Sequence, residues 1–321
     1  MLPVVSVIIP TYNYAIYINL AIESILLQDY PKELIEIIVV DDGSTDNTKN
    51  VLEHLISKEI IKYFYQINKG KAAATYTAIQ KSTGKYIFNL DADDIFLSNK
   101  IKSVVKVFEM DNSIVHVGNP AKRIYGSETF LNEYEIFPDL IINKPLDGQW
   151  LLKYFLQNNM LFGGGSTYAG RGDVLRKINI PSNVDMYIDE FLIYAILPHG
   201  KSYFTSDSLS VWRDHGLNYS SSQNTINKRK NKSRRILASA LGILDYLCSN
   251  NFDSKIIEIY KLKCEVLKIA NKESFNEKSL NDIFNFMQFL FISKLSLSVL
   301  KKYHVFNRLI PMSIYSFLKR H

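Results

Sequence analysis

Residues 4–13 read VVSVIIPTYN and residues 35–44 read IEIIVVDDGS. Each opens on a short apolar, β-branched run and stops at a polar turn. Runs of this kind, lacking the polar alternation of a half-exposed strand, are typical of strands buried on both faces. Between them, residues 15–27 set Ile18, Ile22, Ile25 and Leu26 at helical spacing. After the second run, Ser44 can cap a helix that continues through Val51, Leu52 and Leu55. Working outward, residues 61–65 read as a third strand, 72–80 as a third helix and 86–90 as a fourth strand. Strands alternating with amphipathic helices predict an α/β fold whose parallel sheet is covered on both faces. Right-handed crossovers then put every strand's C-terminal end on one edge, where ligands bind in such sheets. The polar clusters Pro10-Thr11-Tyr12-Asn13, Asp41-Asp42-Gly43-Ser44 and Asp91-Ala92-Asp93-Asp94 each follow one of these strands directly.

Side chains alternate at the end of an extended strand, so Asp91 and Asp93 face the same side. Two such carboxylates make a hard oxygen site suited to Mg²⁺ or Mn²⁺, completed by phosphate oxygens and water. The plainer reading is a loop of solvated acids ahead of a helix starting near Ser98. Asp94 points the other way and suits a cap or a structural acceptor. The acids of the 41–44 turn could hold a ribose hydroxyl or a base N–H; a β–α turn with a Ser cap explains the same residues. Asn68-Lys69-Gly70 opens the third helix, where a cation and a helix N-terminus could meet a diphosphate. In Trp212-Arg213-Asp214-His215-Gly216, Arg213 and His215 share a side if the segment is extended.

The first turn has no glycine, so the GxGxxG cradle of nicotinamide and flavin enzymes is missing from its expected place. Position 65, five before Gly70-Lys71, is tyrosine, which excludes a P-loop there. There is no HExxH and no serine nucleophile elbow.

Taken in order, PTYN, DDGS, N-x-G and DAD-D resemble the nucleotide-binding half of family 2 glycosyltransferases with the GT-A fold. The resemblance covers residues 3–98 and extends more loosely to about 222. Asp189, eleven positions before Gly200, matches an acid that precedes a helix and glycine in that family. Residues 209–218, LSVWRDHGLN, resemble the family's closing aromatic-Arg-x-His-x-x-Asn pattern. Two positions depart: the family's acidic pair often reads Glu-Asp where this chain has Asp189-Glu190, and its Arg-Asn is Thr75-Tyr76 here.

The resemblance implies an inverting enzyme that moves a sugar from a nucleotide-diphosphate donor to an acceptor hydroxyl. It implies a divalent cation, Mg²⁺ or Mn²⁺, held by Asp93, with Asp91 on the ribose or the metal and His215 as a later ligand. Pro10, Thr11, Tyr12, Asn13, Asp41, Asp42, Asn68, Lys69, Gly70, Asp91, Ala92 and Arg213 are the implied donor-binding set. Asp189 is the first choice for the base that takes the acceptor's proton and Glu190 the second. The turn at 163–166, Gly-Gly-Gly-Ser, has little side-chain bulk and could let donor or acceptor approach the backbone; it also reads as a surface turn. The acceptor class would be a glycan or a lipid-linked sugar, in cell-surface polysaccharide or glycolipid synthesis. Two rivals remain: a nucleotidyltransferase that makes the sugar nucleotide, disfavoured by a first loop that is neither Gly-rich nor basic, and a non-catalytic binding module of the same fold.

The chain has 321 residues, 47% hydrophobic and 22% charged, which fits ordinary globular usage and excludes global disorder. The expected organisation is a catalytic domain at 1–222, then a basic linker and helical region at 223–321. Cys248 and Cys264 cannot build a disulfide framework and read as buried thiols of a reducing compartment. The N-terminus runs into a strand without a positive leader, so a cytoplasmic location is expected. The formal charge of +6 is unevenly placed: residues 225–235 and 283–321 each hold six basic residues and no acid. No nucleic-acid-binding motif accompanies these patches, so nucleic acid is not an expected partner. An anionic membrane surface is the expected one, met peripherally by the basic, aromatic-rich tail. Core helices with solvated cations would share that composition. The uncharged stretch 283–293 has 11 residues, too short for a span, which needs about 20.

Overall fold

The computed structural model describes residues 1–125, 133–216 and 225–309. Leu217 and Asn218, which end the closing pattern, and the last stretch of the tail lie outside these residues. The chain divides into two compact units. The first comprises the described residues within Met1–Leu151, Leu161–Ile180 and Ile188–Ser221 and carries the sheets; the second comprises those within Leu152–Met160, Pro181–Tyr187 and Ser222–His321.

Four strands, β1 (Val5–Thr11), β2 (Ile35–Asp41), β3 (Lys62–Tyr65) and β4 (Tyr86–Asn89), pair in parallel in the order β3-β2-β1-β4. All seven residues of β1 are buried. Val5, Val7 and Ile9 join Ile18, Ala21, Ile22 and Ile25 of helix α1 (Ile18–Leu26) in one apolar cluster. Each large apolar side chain so buried contributes about 1.5–3 kcal/mol. Helix α3 (Lys71–Lys81) packs against β1 and β2. The expected edge therefore exists: Thr11 pairs with Asp41, which sets the ends of β1 and β2 side by side.

Two expectations about this half need correction. Ser44 does not cap helix α2 (Thr48–Ser57), whose N-cap position is Asn47; its hydroxyl instead accepts the Asn13 N–H at 2.9 Å. The sheet is also mixed rather than parallel throughout. Beyond β4 come β5 (Ile95–Phe96), helix α4 (Lys100–Met110), β6 (Ile114–Gly118), β7 (Ala121–Tyr125), β8 (Glu133–Tyr134), β9 (Pro145–Asp147), helix α5 (Gly148–Asn158), β10 (Tyr168–Arg171), the short α6 (Gly172–Leu175), α7 (Ile188–Ile196), β11 (Lys201–Phe204) and β12 (Ser210–Asp214). The main sheet runs β3-β2-β1-β4-β10-β6-β11-β9, with β10 antiparallel to both neighbours and β9 antiparallel to β11. The inversion has a local cause. The 163–166 turn is bonded beside Asp91, at the C-terminal edge of β4, so the strand leaving that turn must run back down the sheet. The second sheet, β5-β12-β7-β8, pairs Ser210 with Phe96 and returns the chain to the 91–94 turn.

The second unit is helical. The basic run at 225–235 is not a linker but opens helix α8 (Ile226–Ser249), capped where Thr225 accepts the Lys228 N–H. Lys and Arg are good helix formers, and Lys230 and Arg234 lie over the Phe275 ring. Helix α8 packs against α9 (Ser254–Phe275), capped by Asp253. A capping box of Ser279 and Asp282 starts α10 (Leu280–Ile292), followed by α11 (Leu297–Lys302) and α12 (Val305–Arg308). Cys264 is buried as expected; Cys248 is exposed, because it falls on the outer face of α8. Among the described residues no helix is long and apolar enough to cross a membrane.

Candidate active site

The turns after β1 and β2 are stitched together by side chains. Asn13, at φ 60°, accepts the Thr45 N–H at 2.7 Å and the Asp46 N–H at 3.2 Å. Asp41 is buried and accepts from the Ser44 N–H and from the Tyr63 hydroxyl, both at 2.7 Å. Asp42, also buried, accepts from Gln66 Nε2, the Lys69 N–H and the Gly70 N–H. It therefore fixes the 68–70 turn at the start of α3, satisfying N–H groups a helix start leaves open. Gly43 is required there: at φ +79° a Cβ would stand 2.8 Å from the Asn68 N. Pro10 pairs with Val40 inside the sheet, while Tyr12, Asn68 and Lys69 are exposed beside these turns. Thr11 Oγ1 and Asn89 Oδ1 are buried without a hydrogen-bond partner.

The 91–94 turn is held from behind. Ser166 Oγ donates to Asp94 Oδ2 at 2.6 Å and accepts the Asp91 N–H at 3.0 Å, while Asp94 Oδ1 accepts the Arg213 N–H. Asp94 is thus the structural acceptor the sequence allowed, and burial, together with Asp93 and Asp91, pushes its carboxyl well above the usual range. Beneath it the fully buried Lys100 donates to Asn119 Oδ1, Ser166 O and Ser210 Oγ. Burial pulls its ammonium well below the usual lysine range, against the pull of Asp94. Ala92, small and buried, lets the turn close.

Asp93 meets the closing segment. His215 Nε2 lies 3.2 Å from Asp93 Oδ2, and Arg213 Nε donates to the Asp93 carbonyl at 3.3 Å. The His215 ring stacks on Tyr17 at 4.2 Å, with Tyr14 edge-on at 6.2 Å. Burial, then Asp91, raises the Asp93 carboxyl, with His215 pulling the other way.

Asp91 turns towards a residue the sequence reading passed over. Lys71 Nζ lies 2.9 Å from Asp91 Oδ2 and 3.5 Å from Asp189 Oδ2, joining both acids. Burial works against its charge, but Asp189 and Asp91 outweigh that and hold its ammonium above the usual lysine range. Asp91 Oδ1 accepts from Asn89 Nδ2. Asp189 sits in the first turn of α7 with its side chain 38% exposed, whereas Glu190 is buried. The protein packed around Asp189 raises its carboxyl, Lys71 lowers it and Asp91 raises it again. The glycine turn lies between these acids. A Cβ on Gly165, at φ +54°, would stand 3.5 Å from Asp91 Oδ2 and 3.8 Å from Asp189 Oδ2, and one on Gly164 would meet Asp189 Cβ at 3.1 Å. The turn is therefore part of the site wall.

Among the described residues no three His, Cys, Asp or Glu side chains converge as a closed metal cage. A cation carried on a diphosphate needs less, since Mg²⁺ keeps waters and phosphate oxygens and takes one or two protein donors. Asp93 and His215, already in contact and with the imidazole fixed by Tyr17, fit that need; Asp91 is occupied by Lys71 and Asn89.

A model of glycosyl transferase family 2 matches residues 6–178. The chain belongs to this family. An uncharacterized glycosyltransferase of Nostoc sp. is 32% identical over 220 residues, covering 67% of this chain and 66% of the relative. One of Rickettsia bellii is 42% identical over 110 residues, 34% of this chain and 16% of the relative. The chain thus spans just under two thirds of the first and a small part of the second. Among solved structures, S. aureus TarS 1-349 in complex with UDP-GlcNAc aligns with TM-score 0.57 and 17% identity, over 94% of this chain and 89% of that one. The mannosyltransferase PcManGT from Pyrobaculum calidifontis, in complex with GDP-Man and Mn²⁺, aligns with TM-score 0.55 and 17% identity, over 96% and 84%. At this identity the likeness is one of fold, the GT-A fold.

Family membership places the four β–α turns in one frame. Of the residues singled out in the sequence, the fold gathers Asp91, Asp93, Arg213, His215 and Asp189 at one edge, and Thr11, Asn13, Asp41 and Asp42 at the adjoining strand ends. Lys71, Tyr14 and Tyr17 were missed. The first follows Gly70 directly, and a cation opening the helix beside an acidic turn was the available signal.

Proposed function

We propose that this chain is an inverting glycosyltransferase, moving a sugar from a nucleotide-diphosphate donor to an acceptor hydroxyl in one displacement. The observation that carries the reading is that Lys71 bridges Asp91 and Asp189 across the glycine turn. The candidate base therefore faces the strand edge where the donor would lie. In the displacement the acceptor oxygen bonds to the anomeric carbon as the bond to the diphosphate breaks on the opposite face. Asp189 takes the acceptor's proton, and Lys71 keeps that carboxylate ionised. Asp41 and the unpartnered Thr11 hydroxyl would bind the nucleoside, with Tyr12 exposed beside them. Asp93 and His215 would hold Mg²⁺ or Mn²⁺, which when bound neutralises charge on the departing diphosphate. The ligands of the two solved relatives support a sugar-nucleotide donor, and Mn²⁺ in one supports the cation. On this reading the first unit is the catalytic domain, and the acceptor is a glycan or lipid-linked sugar of the cell surface. The test is a panel of nucleotide sugars with Mg²⁺ or Mn²⁺, scored for release of nucleoside diphosphate. Release from at least one donor is expected; no turnover or binding of any donor would reject the reading.

A further inference from the structure

Helix α10, LNDIFNFMQFLFI, is apolar on two sides. Ile283 and Phe286 are buried, which accounts for one side. Leu280, Phe284, Met287 and Phe291 fall at i, i+4, i+7 and i+11, within about 60° of arc at 100° per residue. All four are exposed, from 46% for Met287 to 93% for Phe291. A helix apolar around most of its circumference is normally buried all round. This one is not, and Ile292 (78% exposed) and Leu297 extend the exposed apolar surface into the next connection.

What surrounds the stripe selects its partner. Exposed Lys294, Lys301 and Lys302 follow within the next turns of chain, and residues 283–309 contain no acid. Asp282, the acid within α10, is taken by Lys272 and by the capping box. We propose that α10 and the lysines after it form a docking face for an anionic lipid surface, with the helix lying in the plane of the interface. The stripe's Leu, Phe and Met carry the apolar contact. The lysines supply the attraction that selects anionic over neutral lipid. At 13 residues the helix lies on the bilayer rather than crossing it. This surface is independent of the active site and of the reaction assigned to it.

The test is co-sedimentation of the full chain with phosphatidylcholine vesicles and with phosphatidylcholine–phosphatidylglycerol vesicles, at low and high salt. Two variants accompany it: Phe284→Ser with Phe291→Ser, and Lys294→Glu with Lys301→Glu and Lys302→Glu. All five positions are exposed, and unchanged helical circular dichroism and melting check the fold. Binding is expected on the anionic vesicles, weakened by salt. The lysine variant should lose on the order of a hundredfold or more in partition, since each charge near the surface is worth about fivefold. The phenylalanine variant should lose at least tenfold. Equal binding to both vesicles, or a phenylalanine variant that binds as the wild type does, overturns the proposal. So does a full chain that dimerises through these phenylalanines and ignores vesicles, because the stripe would then cover a second copy.

Discussion

Replacing His116 by glutamine removes a buried proton switch beneath the active-site wall. His116 lies in β6 with no exposed surface, its Nδ1 2.7 Å from Ser202 Oγ and its Nε2 3.3 Å from the Gly163 carbonyl. A carbonyl only accepts, so Nε2 carries the proton and Nδ1 accepts from the Ser202 hydroxyl. Burial pulls this imidazole from 6.5 to about 4, with the Gly163 bond acting the other way. Above pH 6.5 the ring is neutral folded or unfolded and has no effect. Between 6.5 and 4 the unfolded chain takes up a proton that the folded chain refuses, so stability falls as pH falls. The gap from 6.5 to about 4, at about 1.4 kcal/mol for each pH unit, amounts to roughly 3 kcal/mol. Glu135 acts in the opposite sense, since burial lifts its carboxyl from 4.5 to about 7. The wild type and His116→Gln must therefore be compared as a difference, in which Glu135 cancels. Denaturant unfolding followed by tryptophan fluorescence suits the purpose, because Trp150 and Trp212 both belong to the first unit. Between pH 6.5 and 4 the wild type should lose roughly 3 kcal/mol more than the variant. Parallel curves would refute the reasoning.

Lys71→Met removes the cation shared by Asp91 and Asp189. The Asp189 carboxyl should rise further and carry the acidic limb of kcat/KM to higher pH, with Lys71→Arg restoring part of it; an unmoved limb would separate Lys71 from the base. Asp93→Asn should keep the melting profile and lose turnover by on the order of a hundredfold or more, and EDTA should do the same to the wild type. Normal rates in either case would remove the cation from the account.

Much of this was legible because the first hundred residues obey one period. A buried parallel strand reads as an unbroken apolar run, so β1, β2 and β4 and the turns after them could be placed from sequence alone. Legibility ended where long-range contacts decide. Nothing local in residues 163–171 announces that β10 runs backwards between β4 and β6; the reversal depends on Ser166 meeting Asp91 and Asp94, over seventy positions away in sequence. Ser44 looked like a cap because its spacing allows one, but Asn13 claimed the hydroxyl. The basic run read as a linker from its charge, whereas Lys and Arg also favour helix and found Phe275 to cover. His116 and Lys100 carried no sequence signal, since burial of a lone polar residue is a property of the fold.

The most direct test of the account is transfer by Asp189→Asn beside Glu190→Gln, with nucleoside-diphosphate binding measured on both. Asp189→Asn is predicted to lose roughly 10²–10⁴-fold in transfer, the usual worth of a positioned base, while binding nucleoside diphosphate as the wild type does. Glu190→Gln is predicted to retain transfer once its stability is confirmed. Near-normal transfer by Asp189→Asn, together with a folded but inactive Glu190→Gln, would contradict the account and move the base one residue along α7.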